Sequence, residues 1–234
     1  MNPPAGSNES SNMLRPKLMS FDVFGTLISV RDSSYAAFAR MLKEAGATHV
    51  DVKAFWEYWE HRNIAHYWEP YRSYREICEL SLAEAFAHFQ VNGKSRAIDL
   101  YFDAFPSFFL YDDVLPTLER ISKRCKLALV SNIDDDLLAA TPLKRNFDVI
   151  CTAQRARGYK PDGTLFRYLL DHAGVAKDEI LHSGQSQFTD MVGGKPLGLT
   201  IAWINRRNVA LDDSVPRPDF ILGDIQSLAQ IAEF

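Results

Sequence analysis

Six short apolar runs recur along the chain, and they constrain its fold more than any other feature. They are KLMSFDVF (17–24), KLALVS (126–131), FDVIC (147–151), EILHS (179–183), LTIAWI (199–204) and DFIL (219–222). Helical patterns separate most of the runs after residue 110, for example DVLPTLERISKR (113–124) and GTLFRYLLDHAG (163–174). Near-continuous apolar strands that alternate with helices are typical of a parallel sheet covered on both faces. We therefore predict a doubly wound, Rossmann-like α/β core.

The interval from residue 33 to residue 108 has a different character, because it is helical and rich in aromatic residues. A helical stripe from Tyr35 to Ala45 ends at Gly46, and Asp51 can cap a second helix that ends at Pro70. Further helices are predicted around 75–89 and 95–105. An insert of roughly 75 residues is far longer than an ordinary connection. We therefore predict a core domain at 15–32 and 109–234, a helical cap domain at 33–108, and a disordered leader at 1–14.

Composition and charge exclude several classes of partner. The formal net charge of −4 offers no basic surface for nucleic acid, and no apolar run reaches the roughly 18 residues that span a bilayer. The N-terminal residues lack the basic and apolar segments of a secretory signal, and the three cysteines are widely spaced, without a CxxC pair. We therefore expect a cytoplasmic protein with buried free thiols that binds a small-molecule substrate, not nucleic acid or membrane. Aromatic residues of the insert favour a homodimer.

Polar residues lie at or near the ends of several predicted strands. Asp22 and Thr26 lie in SFDVFGTL (20–27), Ser131 and Asn132 end the second run, Lys160 lies in YKPDG (159–163), and Asp190 ends GQSQFTD (184–190). In parallel sheets, ligands and catalytic groups gather at the carboxyl ends of the strands. The chain therefore predicts one site that combines carboxylates, hydroxyls and an ammonium group.

The order of these motifs resembles the haloacid dehalogenase-like hydrolase superfamily, and within it most closely the L-2-haloacid dehalogenases. FDVFGTLIS (21–29) approaches their FDxYGTLFD, LVSN (129–132) approaches their LSN, YKPD (159–162) is present, and WINR (203–206) follows Asp190 at their spacing. The resemblance covers nearly the whole chain from about residue 17, including a helical cap between the first two motifs. It implies that Asp22 is the nucleophile and that Thr26, Ser131, Asn132, Lys160 and Asp190 complete the catalytic set.

Two positions within these motifs bear on the leaving group. Phosphatases of this superfamily carry a second Asp two residues after the nucleophile, to protonate the departing alkoxide, and Phe24 stands there in this chain. Those phosphatases also hold Mg²⁺ with GDxxxxD, and Gln185 replaces the first Asp of that motif, which weakens a site that prefers carboxylates. A halide leaves without protonation. The pattern therefore favours halide displacement without metal or another cofactor, with Lys160 lowering the pKa of Asp22.

The expected reaction is the dehalogenation of a small 2-haloalkanoic acid through an aspartyl ester. Asp22 attacks the carbon that bears the halogen, and water then hydrolyses the ester at the Asp22 carbonyl. We expect Asp190, with the neighbouring side chains of its motif, to orient or activate this water. The expected substrate-binding residues are Phe24, Trp59, Arg62, Gln185, Ser186 and Gln187.

The insert departs from the dehalogenase pattern at one informative position. Those enzymes place an Arg directly after the cap tryptophan that Trp59 matches, to grip the substrate carboxylate or the halide, but Glu60 follows here. Arg62 lies about 200° further around the helix and can substitute only if the backbone shifts. Three alternatives therefore stay open: a Mg²⁺-dependent phosphatase or phosphonatase, hydrolysis of another carbon–heteroatom bond by Asp22, and a non-catalytic binder on the same fold.

Overall fold

The computed structural model describes residues 15–231, and the predicted leader at 1–14 lies outside the described residues. The strands are β1 (Leu18–Phe21), β2 (Ile28–Ser29), β3 (Phe109–Leu110), β4 (Lys126–Ser131), β5 (Val149–Thr152), β6 (Ile180–Gly184), β7 (Thr200–Ile204) and β8 (Phe220–Leu222). The helices are α1 (Arg31–Glu44), α2 (Val52–His66), α3 (Tyr74–His88), α4 (Asp99–Phe102), α5 (Val114–Ser122), α6 (Asp135–Ala140), α7 (Ala153–Ala156), α8 (Thr164–His172), α9 (Val192–Gly194) and α10 (Leu228–Ile231). Short 3₁₀ segments cover Ser95–Ile98, Phe105–Ser107, Lys177–Glu179 and Lys195–Leu197, and a π-helical turn covers Gln187–Met191.

Six of the strands form one parallel sheet in the order β5-β4-β1-β6-β7-β8. The strand β1 lies near the centre, and all four of its residues are buried. Such burial on both faces explains why the sequence shows a continuous apolar run at this strand and not an alternating pattern. The predicted parallel-sheet α/β fold is confirmed.

The central strands end together at one edge of the sheet. Phe21 of β1 lies opposite Leu129 of β4 and Ser183 of β6. The chain leaves this edge at Asp22, whose backbone N–H donates to the Ser183 carbonyl at 2.9 Å. This register places the residues that follow β1, β4 and β6 next to one another.

Helices α1 to α4 occupy the chain between β2 and β3, which we call the insert (31–108). Asp51 caps α2, because its carboxylate accepts from the Ala54 N–H at 2.7 Å. That helix ends at His66, earlier than the Pro70 end predicted from the sequence. Whether core and insert behave as separate domains stays a prediction.

Strands β2 and β3 pair antiparallel and close the two ends of the insert. Ile28 lies opposite Leu110, and Ser29 lies opposite Phe109. The sequence did not predict them, since a two-residue strand is too short to show any periodicity. The pair brings the start of α1 close to the chain that returns to the core.

The insert packs through aromatic contacts, and its core is continuous with that of the sheet. Phe38 of α1 lies 4.8 Å from Trp59 of α2 and 5.8 Å from Tyr101 of α4, measured between ring centroids. The prediction of free buried cysteines is confirmed for Cys78, Cys125 and Cys151. Over residues 15–231, no helix is both long and apolar enough to cross a membrane.

Candidate active site

Asp22 lies in the tight turn that follows β1. The Thr26 hydroxyl donates to Asp22 Oδ2 at 2.8 Å, and Lys160 Nζ lies 2.5 Å from Asp22 Oδ1. Gly25 adopts a φ of 81°, a conformation that glycine tolerates best, and this lets the turn bring Thr26 back to the carboxylate. Both oxygens of Asp22 are therefore fixed by side chains that the motifs had predicted.

The turn is held from outside by the WINR segment. Arg206 Nε donates to the Thr26 carbonyl at 2.9 Å, and its guanidinium also pairs with Asp113 at 3.0 Å. Trp203 Nε1 donates to the Gln185 carbonyl at 3.0 Å. The Gln185 N–H in turn donates to Thr26 Oγ1 at 3.0 Å. These bonds join the turn after β1, the segment that begins at Gln185 and the WINR segment around Asp22.

Lys160 is buried and bridges two carboxylates. Its ammonium lies 2.5 Å from Asp22 Oδ1 and 2.7 Å from Asp190 Oδ1. Its backbone N–H donates to Asn132 Oδ1 at 2.9 Å, so Asn132 positions the segment that carries the lysine. Ser131 lies beside them, and its buried hydroxyl has no hydrogen-bond partner within the described chain. One cation thus serves two acids.

Asp190 lies behind Lys160 and does not line the cavity that Asp22 faces. Its Oδ2 accepts from the Ser186 N–H at 3.0 Å, and its Oδ1 lies 3.2 Å from His182 Nε2. It is fully buried. This placement corrects the expectation that Asp190 activates water, since its oxygens are engaged by Lys160, His182 and the Ser186 backbone.

The two carboxylates respond differently to their shared cation. Burial raises the pKa of Asp22, and Lys160 opposes this rise without reversing it. Burial also tends to raise the pKa of Asp190, but Lys160 and His182 together lower it to about 2. The Lys160 pKa is raised, because the attraction of Asp190 and Asp22 exceeds the effect of burial. The expectation that Lys160 gives Asp22 a low pKa is therefore corrected: Asp190 holds its charge more firmly.

His182 is a site residue that the sequence motifs did not identify. It is fully buried on β6, directly opposite Ser20 of β1. Its Nδ1 lies 2.9 Å from Ser20 Oγ, and its Nε2 faces Asp190. A polar residue inside a buried strand needs such a partner, and that was the signal available in the sequence.

The cavity in front of Asp22, which we call the inner cavity, has a volume of about 120 Å³. Phe24 forms part of its wall and packs 5.5 Å from Phe105, measured between ring centroids. Trp59 lines it too, while its indole N–H donates to the Cys78 carbonyl at 3.2 Å. The other predicted site residues that line it are Ser131, Asn132, Lys160, Gln185 and Ser186.

Two predicted substrate contacts lie apart from the inner cavity. Arg62 forms a two-bond ion pair with Glu84, at 2.6 and 3.2 Å, because it projects from a different side of α2 than the cavity-lining Glu60. Gln187 Nε2 donates to the Ala210 carbonyl at 2.9 Å, and its Oε1 accepts from the Asp212 N–H. The structure thus places Arg62 in the packing of α2 on α3, and Gln187 in the anchoring of a surface loop.

Comparison with known proteins agrees with this geometry. The family model described as haloacid dehalogenase-like hydrolase matches residues 19–204, from β1 to β7. The chain belongs to this family. It is 25% identical over 197 residues to (S)-2-haloacid dehalogenase 4A of Burkholderia cepacia, covering 80% of this chain and 82% of that protein.

Other similar proteins are named for different activities. The human N-acylneuraminate-9-phosphatase is 26% identical over 129 residues, covering 53% of this chain and 52% of that protein. The solved L-2-haloacid dehalogenase of Xanthobacter autotrophicus superposes with a TM-score of 0.78 at 19% identity, over 92% of this chain and 98% of that one. This structural likeness shows the shared fold.

The resemblance to phosphatases of the family implies Mg²⁺ as a cofactor, but the residues of this site do not fit this ion. Within residues 15–231, no group of three or more His, Cys, Asp and Glu side chains could hold a metal ion. Both oxygens of Asp22 and both oxygens of Asp190 already contact other groups. Gln185, in place of a third acid, supplies only a neutral amide, and its Oε1 lies 3.3 Å from Arg207. A divalent ion prefers several anionic oxygens, which this site does not offer.

Proposed function

We propose that this hydrolase displaces halide from small 2-haloalkanoic acids by a metal-independent reaction with an Asp22 ester intermediate. One observation carries the proposal. Asp22 faces a cavity in which Lys160 supplies the cation and Phe24 supplies an apolar wall at the position of a phosphatase's general acid. A site built in this way suits a leaving group that needs no proton. The similarity to (S)-2-haloacid dehalogenase 4A supports the same reaction.

In the first step, an oxygen of ionised Asp22 attacks the carbon that bears the halogen. A carbon–oxygen bond forms as the carbon–halogen bond breaks, and the halide leaves with the bonding electron pair. No proton is transferred, so this step does not need an acid at the position of Phe24. The Thr26 hydroxyl and the Lys160 ammonium hold the carboxylate for in-line attack.

In the second step, water adds to the carbonyl carbon of the Asp22 ester. Negative charge then develops on the former carboxylate oxygen, and the ammonium of Lys160 is positioned to stabilise it. The bond from the carbonyl carbon to the substrate oxygen breaks, a 2-hydroxy acid leaves, and one proton is released. One oxygen of the regenerated Asp22 carboxylate then comes from water.

Isotope labelling tests this mechanism directly. After a single turnover of 2-chloropropionate in ¹⁸O-water, mass spectrometry should find one ¹⁸O atom in the peptide that contains Asp22. Asp22→Asn should release no halide. If the enzyme turns over substrate but the peptide that contains Asp22 carries no ¹⁸O, the ester mechanism is wrong.

A phosphatase or phosphonatase is the second candidate, because the human N-acylneuraminate-9-phosphatase is similar over about half of the chain. Phe24 alone does not exclude it, since phosphonatases also lack the second Asp. A screen for chloride, fluoride and phosphate release, with and without EDTA, separates the two. Phosphate release that depends strictly on Mg²⁺ would replace the dehalogenase proposal, and binding without any turnover would favour the non-catalytic binder.

A further inference from the structure

A second cavity of about 240 Å³ adjoins the inner cavity and has no role in the reaction proposed above. Four residues line both spaces: Val30, Trp56, Glu60 and Gln185. The two spaces therefore share a boundary formed by these side chains. We call the second space the outer cavity.

Three charged side chains face one another across the outer cavity: Arg31, Arg207 and Glu60. Within residues 15–231, none of them has an oppositely charged partner within 4.0 Å. Arg31 lies over the Trp56 ring, 5.8 Å from its centroid, and Arg207 Nη2 donates to Gln185 Oε1 at 3.3 Å. The guanidinium groups are thus held at the cavity wall by neutral partners.

The charges are close enough to influence one another through the open space. Burial raises the pKa of Glu60, and Arg31 and Arg207 oppose this rise. Burial and then the positive charge of Arg31 lower the pKa of Arg207. Two arginines that repel each other across a cavity are stabilised by an anion placed between them.

The remaining charges at this cavity do not supply that anion. Arg206 is already paired with Asp113 at 3.0 Å. Asp32, the second residue of α1, is exposed to solvent and forms no ion pair within the described residues. Arg31, Arg207 and Glu60 together therefore carry one excess positive charge, which one carboxylate would balance.

A buried donor at the same place also lacks a partner. Trp56 is 3% exposed, and its indole N–H has no hydrogen-bond partner within the described residues. A buried polar group without a partner is costly unless a ligand or water satisfies it. Because Trp56 lines both cavities, a polar group of a bound molecule can accept this hydrogen bond.

We propose that the outer cavity binds a second carboxylate, which the substrate carries at the end of a short carbon chain away from the carbon attacked by Asp22. Arg31 and Arg207 grip this carboxylate, so among 2-haloacids the preferred substrates are those that carry a second carboxylate. The inference rests on the proposed dehalogenase function, and it names the substrate class of that site. The ammonium of Lys160 in the inner cavity already pairs with Asp22 and Asp190, so the second carboxylate is assigned to the arginines of the outer cavity.

A matched pair of substrates tests the proposal by activity. We expect the value of kcat/KM for 2-bromoglutarate to exceed that for its 5-methyl ester by about 10- to 100-fold, the effect of a charged hydrogen bond. Arg31→Gln and Arg207→Gln should bring this ratio close to one. Arg40→Gln, which removes the same charge from an exposed position of α1 outside both cavities, should leave the ratio unchanged. Equal values for the two compounds in the unmodified enzyme would overturn the proposal.

Binding of glutarate, which has no halogen, separates the subsite from the reaction. By calorimetry, glutarate should bind the unmodified protein and bind Arg207→Gln and Arg31→Gln about 10- to 100-fold more weakly. If glutarate binds in this way but no 2-haloacid releases halide, the subsite stands and the proposed function fails. If 2-bromopropionate releases bromide but glutarate does not bind, the function stands and the subsite is wrong.

Discussion

Glu60 provides a prediction whose size follows from the structure. Burial raises the pKa of this carboxyl from the ordinary 4.5 to about 6. A difference of this size between the folded and unfolded chain corresponds to about 2 kcal/mol. The folded state binds the proton more tightly, so the contribution of Glu60 to stability is fully present below pH 4.5 and is lost as the pH rises through about 6. Glu60→Gln removes this titration, because the amide stays neutral.

The measurement is urea unfolding of both proteins between pH 4 and pH 8. The free energy of unfolding of Glu60→Gln, minus that of the unmodified protein, should increase by about 2 kcal/mol from pH 4 to pH 7.5. Glu119→Gln, an exposed change on α5 and away from Glu60, should give a difference that stays constant within about 0.5 kcal/mol. A Glu60→Gln difference that is flat, or that falls with pH, would refute the reasoning about burial.

Three further predictions concern the groups around Asp22. Lys160→Met leaves two buried carboxylates without a cation, so halide release should be abolished and the free energy of unfolding should fall by about 3–5 kcal/mol; retained activity would contradict the role of Lys160. His182→Phe removes the contact to Asp190, so kcat should fall by about 10-fold or more and the acid limb of the rate profile should move, whereas His182→Gln should recover part of the rate; equal rates in all three proteins would exclude a positioning role. The raised pKa of Asp22 predicts that kcat/KM falls on the acid side at a pH above the ordinary carboxyl value of 3.8, and a limb at or below that value would contradict the effect of burial.

Much of the fold was predictable because its signals are local. The strand at 126–131 coincides with β4, and the pattern at 113–124 contains α5. These elements are continuous apolar runs or strongly periodic helices, so packing leaves their type unchanged. Strands β2 and β3 were missed since their pairing depends on where the insert begins and ends in space, which two residues cannot encode.

In the candidate site, too, some residue positions were predictable from the sequence and others were not. Asp22 and Ser131 come together because they lie at the carboxyl ends of the adjacent parallel strands β1 and β4, whose positions are readable from the chain. Lys160 reaches them from the segment after α7. The direction of the Arg62 side chain could not be predicted from the sequence. Its direction depends on which side of α2 faces the core, and that side is set by contacts with α1 and α3. A shift of two residues on a helix turns a side chain by about 200°, so proximity in sequence to Trp59 does not place Arg62 at the substrate.

Dimerisation through the insert stays a prediction. Trp68 is 58% exposed just beyond α2, and Ile221 is 59% exposed on the edge strand β8. The aromatic residues of the insert that suggested an interface are otherwise mostly buried in its own core. Sedimentation velocity of the unmodified protein and of Trp68→Ser measures the outcome, and we expect the substitution to weaken any dimer formed through the insert.

The arrangement of one lysine between two acids explains how the site can work through both steps of the proposed reaction. When Asp22 becomes an ester, it loses its negative charge, and a lysine paired with Asp22 alone would be left buried without a counter-ion. Asp190, whose pKa is lowered to about 2, keeps its charge throughout and so keeps Lys160 protonated in the intermediate. The protonated lysine then remains available to the ester oxygen when water attacks. His182 contributes to this by stabilising the ionised form of Asp190 from the side that substrate never reaches. A residue outside the cavity thereby sets the charge of the residue that acts within it.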